Sequence, residues 1–357
     1  MKDTHGGNVW DAAETTKRGI SGIIDFSASI NPLGISPRAV REIKSSIKLL
    51  PHYPDPDSRG LKQAIASFYG VDPEHIIPAN GSTELIYLIP SVLRPKTALI
   101  IEPAFSEYRR ALELNGLKPD SFMLREARGF SINLSELSRA LKKNYGIVCI
   151  ANPANPTGAA IEKESMMEIS SLCKKHNTRL LVDEAFVDFN EGISIRQEAV
   201  FKRHIIVLRS LTKFFGIAGL RLGFSISHPS TAREIKEKLP PWTVNTVASK
   251  AAVASLNDRV FHKNTLRLIQ SERRFLYDAL SSVKGLKPYA SAANFLMVRV
   301  SSKRPDAPEL KAMLLKRGIL IRELSAWPGL GKKFFRIAVR KRGENALLIK
   351  ALKEILG

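Results

Sequence analysis

Between Ile76 and Leu208 the sequence repeats one pattern, a short apolar run, a polar turn and a longer amphipathic stretch. Apolar runs read as strands at Ile76–Pro78, Thr97–Glu102, Pro119–Leu124, Gly146–Ala151, Arg179–Asp183 and His204–Leu208. Helical spacing falls between them at Leu85–Leu93, Ala104–Leu114, Leu134–Lys142 and Lys163–His176. Strands that are apolar throughout need cover on both faces, and alternation with helices supplies it. The chain is therefore confined to an α/β architecture, a mostly parallel central sheet with helices on both faces.

Outside that region the pattern changes. Residues 1–40 are rich in glycine and proline and read as an irregular arm, although Ile23, Ile24, Phe26 and Ile30 want burial. Pro37–Leu50 and Leu61–Tyr69 read as helices, with Tyr53-Pro-Asp-Pro-Asp57 as an extended turn. Pro240-Pro241-Trp242 marks a break before one long helical region, Thr246–Leu286. Strands at Ala293–Val300, Ile319–Arg322 and Phe334–Val339, with helices at Ala307–Lys316 and Glu344–Leu356, then predict a smaller α+β domain. The expected division is an arm (1–40) lining the site and joining the small domain, a large domain (41–250), and a bridging helix with the small domain (251–357).

In a parallel sheet ligands sit beyond the carboxyl ends of the strands. Polar residues collect there in this sequence. Ile150 is followed by Ala151-Asn-Pro-Ala-Asn-Pro-Thr-Gly158, Val182 by Asp183-Glu-Ala-Phe186, and Leu208 by Arg209-Ser-Leu-Thr-Lys213. Desolvation lowers a lysine's pKa and makes its amine a nucleophile. Spacing alone also accommodates Lys213 as a solvated lysine on a surface loop. Ser210, Thr212 and Arg221 would suit an anion such as a phosphate. Asn80-Gly-Ser-Thr-Glu84 opens a helix directly after a strand, an arrangement that points free N–H groups at an anion. As a helix cap alone, it needs no ligand.

Composition narrows the partners. With 55 Lys and Arg against 34 Asp and Glu, the formal charge is +21, which favours an acidic ligand. The basic residues are scattered rather than gathered into a stripe, and no groove-reading motif accompanies them, so nucleic acid is not expected. Two cysteines make no disulfide framework and suggest the cytoplasm. Cys173-Lys-Lys-His176 has no second ligand pair, so no metal site is expected. No 18-residue apolar run or signal-peptide core is present, which predicts no membrane association.

The motifs Asn-Pro-x-Asn-Pro-Thr-Gly, Asp-Glu-Ala-Phe and Ser-Leu-Thr-Lys…Gly-Leu-Arg-Leu-Gly resemble the pyridoxal 5'-phosphate (PLP) enzymes of fold type I, near histidinol-phosphate aminotransferase, over nearly the whole chain. The resemblance implies that Lys213 carries PLP, that Asp183 pairs with its ring nitrogen, and that Asn155 hydrogen-bonds its ring hydroxyl. The cofactor phosphate would rest on Gly81, Ser82 and Thr83 with Ser210, Thr212 and Arg221. Phe105 would stack on the ring. Tyr53 would reach a phosphate across the interface of a homodimer.

A second set of motifs selects a branch. His5-Gly-Gly-Asn8, Asp25-Phe-Ser-Ala-Ser-Ile-Asn-Pro-Leu-Gly34, Arg209-Ser-Leu-Thr-Lys-Phe214 and Phe335-Arg-Ile-Ala-Val-Arg340 are similar to the L-threonine-O-3-phosphate decarboxylases of cobalamin biosynthesis. That similarity implies a small phosphorylated amino acid as substrate, gripped by His5, Gly6, Ser29, Asn155, Arg322 and Arg336. Phe186 stands where aminotransferases usually carry Tyr and cannot donate a hydrogen bond. Ser29 stands where the branch usually has Asn, and its shorter reach makes L-serine-O-phosphate a second substrate to test. The alternative is a histidinol-phosphate aminotransferase, in which the residue at Arg336 would clamp the α-carboxylate.

Overall fold

The computed structural model describes residues 5–301 and 305–357. Its strands, in chain order, are β1 (Ile24–Asp25), β2 (Ile76–Ala79), β3 (Ala98–Glu102), β4 (Asp120–Met123), β5 (Ile147–Ala151), β6 (Arg179–Asp183), β7 (Ile205–Ser210) and β8 (Gly223–Ser227). The C-terminal region adds β9 (Leu286–Pro288), β10 (Phe295–Val300), β11 (Ile319–Leu320), β12 (Arg322–Glu323) and β13 (Phe334–Ala338).

The central sheet has seven strands in the order β2-β8-β7-β6-β5-β3-β4. Pairing is parallel from β7 through β4, while β8 runs antiparallel to both β2 and β7. Period-2 alternation sorts the strand residues into two cores. Leu99, Ile101, Val148, Ile150, Leu180, Val182, Ile205 and Val207 face one layer of helices. Ala98, Ile100, Ile147, Cys149, Leu181, Ile206 and Leu208 face the other. Both faces are covered, as the unbroken apolar runs required.

Register places the site. Asp183 lies opposite both Ala151 and Leu208, so β5 and β6 end level with one another and β7 runs on to Ser210. Ser210 and Ala79 both pair with Gly223. The ends of four strands and the start of β8 therefore share one edge of the sheet.

The smaller sheet is antiparallel, in the order β12-β13-β10-β9, and carries the helices Ala307–Lys316 and Arg342–Leu356. The predicted strand Ile319–Arg322 divides, because the chain passes from one sheet to another at the buried Ile321. β11 pairs in parallel with β1 of the N-terminal arm, and β12 pairs with β13.

Three further expectations need correction. The arm is not wholly irregular, since Val9–Thr16 is a helix whose first turn is capped by Asn8, its Oδ1 accepting from Asp11 N at 3.2 Å. The long helical region breaks at Asn257-Asp258 into Thr246–Leu256 and Arg259–Ser281. Asp258 caps the second helix by accepting from Phe261 N at 3.1 Å. Finally, β8 lay unnoticed within the glycine run, because Phe224-Ser-Ile-Ser227 carries hydroxyls in a strand with every residue buried.

Candidate active site

The strand ends, the arm and the small domain enclose a cavity of about 650 Å³. Its wall includes His5, Gly6, Ser29, Ser82, Thr83, Phe105, Asn155, Asp183, Thr212, Lys213, Arg221 and Arg336, all singled out from sequence. Gly81 and Ser210 are not part of that wall; Gly81 precedes Ser82, and Ser210 bonds Lys213.

Lys213 follows β7 in the single turn Leu211–Phe214. Its Nζ donates to Ser210 Oγ at 3.2 Å, and that hydroxyl also bonds Thr212 Oγ1 at 2.7 Å. Burial lowers the ammonium to about 8, with Asp183 opposing and the guanidiniums of Arg221 and Arg336 reinforcing the effect. At that value a far larger fraction of the amine is neutral near physiological pH than in an ordinary lysine, and the neutral form can attack a carbonyl.

Asp183 closes β6 and is buried. Its Oδ1 accepts from Ala185 N at 2.9 Å and its Oδ2 from Tyr108 OH at 2.5 Å. Burial raises its pKa, and the two hydrogen bonds and Lys213 hold part of that rise back. A carboxylate so placed is suited to a cationic partner in the cavity.

Arg209 and Glu184 lie one residue behind Ser210 and Asp183. Fully buried Arg209 meets Glu184 Oε2 through Nε at 3.0 Å and Asp188 Oδ1 through Nη1 at 3.1 Å. Its Nη2 donates to Ser194 Oγ at 2.9 Å, and its guanidinium lies 4.8 Å from the Tyr69 ring centre. Glu184 in turn accepts from Ser194 Oγ at 2.7 Å and Ile195 N at 2.8 Å. This network ties the ends of β6 and β7 together below the two reactive groups.

The Gly81–Leu93 helix points its N-terminus at the same edge. A Cβ on Gly223 would lie 2.3 Å from Ser82 N, and one on Gly81 would lie 2.7 Å from Arg221 Nη2. Backbone N–H groups, the helix dipole and a guanidinium thus converge where no side chain fits. That is a cradle for a phosphate.

On the opposite wall Arg336 donates through Nη1 to Asn155 Oδ1 and through Nη2 to Ser27 O at 2.9 Å. Its Nε is buried with no partner among the described residues. Burial lowers its pKa to about 9, helped by Arg322 and opposed by Asp25. Asp25 Oδ1 organises the arm by accepting from Ser27 N at 2.7 Å and Ser27 Oγ at 2.6 Å. Ser27 Oγ then accepts from Gly7 N at 2.7 Å. Gly6 passes so close that a Cβ would strike Ser27 O at 2.2 Å. Ser29 Oγ is buried in this wall, also without a partner among the described residues.

Two expected residues lie elsewhere. Arg322 is buried behind the arm, donating to His5 O at 3.0 Å, and is absent from the cavity wall. Tyr53 is 79% exposed and stacks on Trp242 at 4.6 Å, outside the cavity of its own chain. Conversely, sequence reasoning passed over Tyr108 and Glu107, which both face the cavity. Ser-Glu-Tyr at the start of an amphipathic helix carries no signal beyond its place after Phe105.

The sequence pattern of aminotransferase class I and II matches residues 21–353. The chain belongs to that family. Among its relatives, this family member is 35% identical to the threonine-phosphate decarboxylase of Salmonella typhimurium, over all of this chain and 97% of that one. It is 38% identical to a putative threonine-phosphate decarboxylase of Caldanaerobacter subterraneus, over 98% of this chain and 93% of the other. Among solved structures, the histidinol-phosphate aminotransferase of Clostridium acetobutylicum superposes with a TM-score of 0.86 at 29% identity, covering 92% of this chain and 98% of that one. The class I and II fold, a mostly parallel sheet flanked by helices, is the one described above. Among the described residues no helix is long and apolar enough to cross a membrane.

Proposed function

We propose that this chain is a PLP-dependent decarboxylase acting on L-threonine-O-3-phosphate, with release of CO2 and formation of 1-aminopropan-2-ol O-2-phosphate for cobalamin biosynthesis. The observation that carries the reading is full-length similarity to threonine-phosphate decarboxylases at 35% and 38% identity. The arm from His5, folded over a cavity that holds Lys213, Asp183 and Arg336, supports it.

The residues present fit PLP. The cavity wall formed by Ser82 and Thr83 at the helix N-terminus, with Thr212 and Arg221, would take a phosphate. Asp183 would pair with a protonated ring nitrogen, Phe105 would cover a ring face, Asn155 would bond a ring hydroxyl, and Lys213 would offer the amine that holds the cofactor. When bound, PLP supplies the electron sink for the pair left at Cα when a bond to it breaks.

The chain's own groups decide which bond breaks. For the carboxylate to be the group that leaves, the chain would have to hold the substrate by its phosphorylated end. Arg336 and the His5-Gly6 segment, which Arg322 holds from behind through the His5 carbonyl, form a cationic wall for the substrate phosphoryl group. Held there, the substrate presents its carboxylate to the cavity and not to an arginine fork. The carboxylate leaves as CO2, and Lys213 Nζ returns a proton to Cα. We further assign a homodimer in the cytoplasm, in which the exposed Tyr53 completes the partner's phosphate site.

CO2 release from L-threonine-O-3-phosphate, without added 2-oxoglutarate, tests this directly. L-serine-O-phosphate measured in parallel shows what Ser29 does to specificity. Amino transfer from histidinol phosphate to 2-oxoglutarate, with no CO2 from either phosphoamino acid, would overturn the decarboxylase reading.

A further inference from the structure

Glu107 is the second residue of the Ser106–Leu114 helix and is nearly buried at the cavity mouth. Both of its carboxylate oxygens are engaged. Oε2 accepts from Tyr87 OH of the neighbouring Gly81–Leu93 helix. Oε1 accepts from Ser106 Oγ at 3.3 Å and meets His5 Nε2 at 3.1 Å. The helix N-terminus favours the charged carboxylate at this position.

His5 therefore lies across the mouth with one ring nitrogen anchored. Its ring packs at 5.7 Å on Phe105, and its carbonyl accepts from Arg322 Nη1 at 3.0 Å. The charged groups facing it are Glu107 at the ring and Arg322 at the carbonyl. Nδ1 has no hydrogen-bond partner among the described residues, and the side chain lines the cavity while remaining half exposed. A neutral imidazole that gave its Nε2 proton to Glu107 would present Nδ1 as an acceptor, which repels a phosphate. Only the imidazolium donates from both nitrogens.

From this geometry we infer that Glu107 is a positioning residue for substrate recognition: clamped by Tyr87, it anchors His5 Nε2 and so leaves Nδ1 of the ring to meet the substrate phosphoryl group. The inference rests on the phosphoamino-acid reading above and assigns a device within it. Removing the carboxylate charge should loosen the arm and cost the phosphate contact, leaving the groups at the Cα end in place.

The test uses full-length, PLP-loaded protein and the variants Glu107→Gln, His5→Ala and the double variant. Glu107→Gln keeps shape and hydrogen-bonding capacity but loses charge. It is expected to raise KM for L-threonine-O-3-phosphate about fivefold to tenfold, with a smaller effect on kcat. In the His5→Ala background the same change should add less than about twofold, because Glu107 acts through His5. Inorganic phosphate should perturb the NMR resonances of the His5 ring less in Glu107→Gln than in the parent. Full additivity of the two substitutions, or a phosphate response of the His5 ring unchanged from the parent, overturns the inference. If Glu107→Gln folds poorly, Tyr87→Phe frees the clamp instead, and a KM unchanged in that variant counts equally against it. Parent protein that releases no CO2 refutes the decarboxylase reading alone, since the response of the His5 ring to inorganic phosphate still reports on the clamp.

Discussion

Lys213 sits where an ammonium is disfavoured, and the apo-protein carries that cost. Its pKa is near 8, against an ordinary 10.5, so below pH 8 the folded state bears the whole penalty of keeping the proton. The penalty fades as pH rises from 8 towards 10.5. Lys213→Met should therefore make the apo-protein more stable by about 1–2 kcal/mol at neutral pH, with the gain vanishing at high pH and all cofactor attachment lost. Thermal melts across pH, with mass spectrometry for attached cofactor, check both halves. Tyr108 works in the opposite sense. Its hydroxyl partly offsets the burial that raises Asp183, so Tyr108→Phe should raise the Asp183 pKa further. The acid limb of the pH–rate profile should then shift upwards, with kcat near neutrality lowered about tenfold. Lys213, Asp183 and Asn155 could be located from sequence because each stands within a turn motif at a strand end. Tyr108 could not, since it meets Asp183 across 75 residues of chain and only the packing of a helix on the sheet joins them.

At the scale of elements, the phosphate cradle depends on how closely a helix approaches a strand. Gly223→Ala would put a methyl group 2.3 Å from Ser82 N and push the Gly81–Leu93 helix off the sheet edge. Stability should fall by about 1–3 kcal/mol, and PLP affinity should fall with it, measured by equilibrium unfolding and by spectroscopic titration of the cofactor. The core of the sheet was legible because β5 and the runs Leu180–Val182 of β6 and Ile205–Leu208 of β7 are apolar. β8 was not, because Ser225 and Ser227 interrupt the pattern while both are fully buried. The helix Val9–Thr16 was hidden by the glycines before it, although Asn8 is an ordinary cap. Asp258 is also a cap, yet the apolar periodicity on either side of it read as one continuous helix. The division of Ile319–Arg322 between two sheets had no local signal, since the partners that draw it apart are β1 and β13.

At the scale of the whole molecule, a net charge of +21 surrounds a cavity proposed to take a phosphorylated substrate. A field of that sign should speed the arrival of an anionic ligand and should be screened by salt. Raising ionic strength from about 0.01 to about 0.15 M shortens the screening length from ~30 to ~8 Å. kcat/KM for L-threonine-O-3-phosphate should fall severalfold over that range if capture of substrate limits it, while kcat stays nearly constant. Steady-state kinetics against salt concentration measures this. The pairing of Ile24 with Ile319 has a consequence for how the protein is made. A ribosome releases the chain from its N-terminus, so the arm emerges first and must wait for its partner strand. The sheet bearing Asp183 and Lys213 can assemble while the arm is still unpaired, and a nascent molecule then presents an open cleft through which cofactor can enter before the arm seals it. Pulsed hydrogen exchange during refolding should accordingly protect the amides of β5, β6 and β7 before those of Ile24 and Phe26.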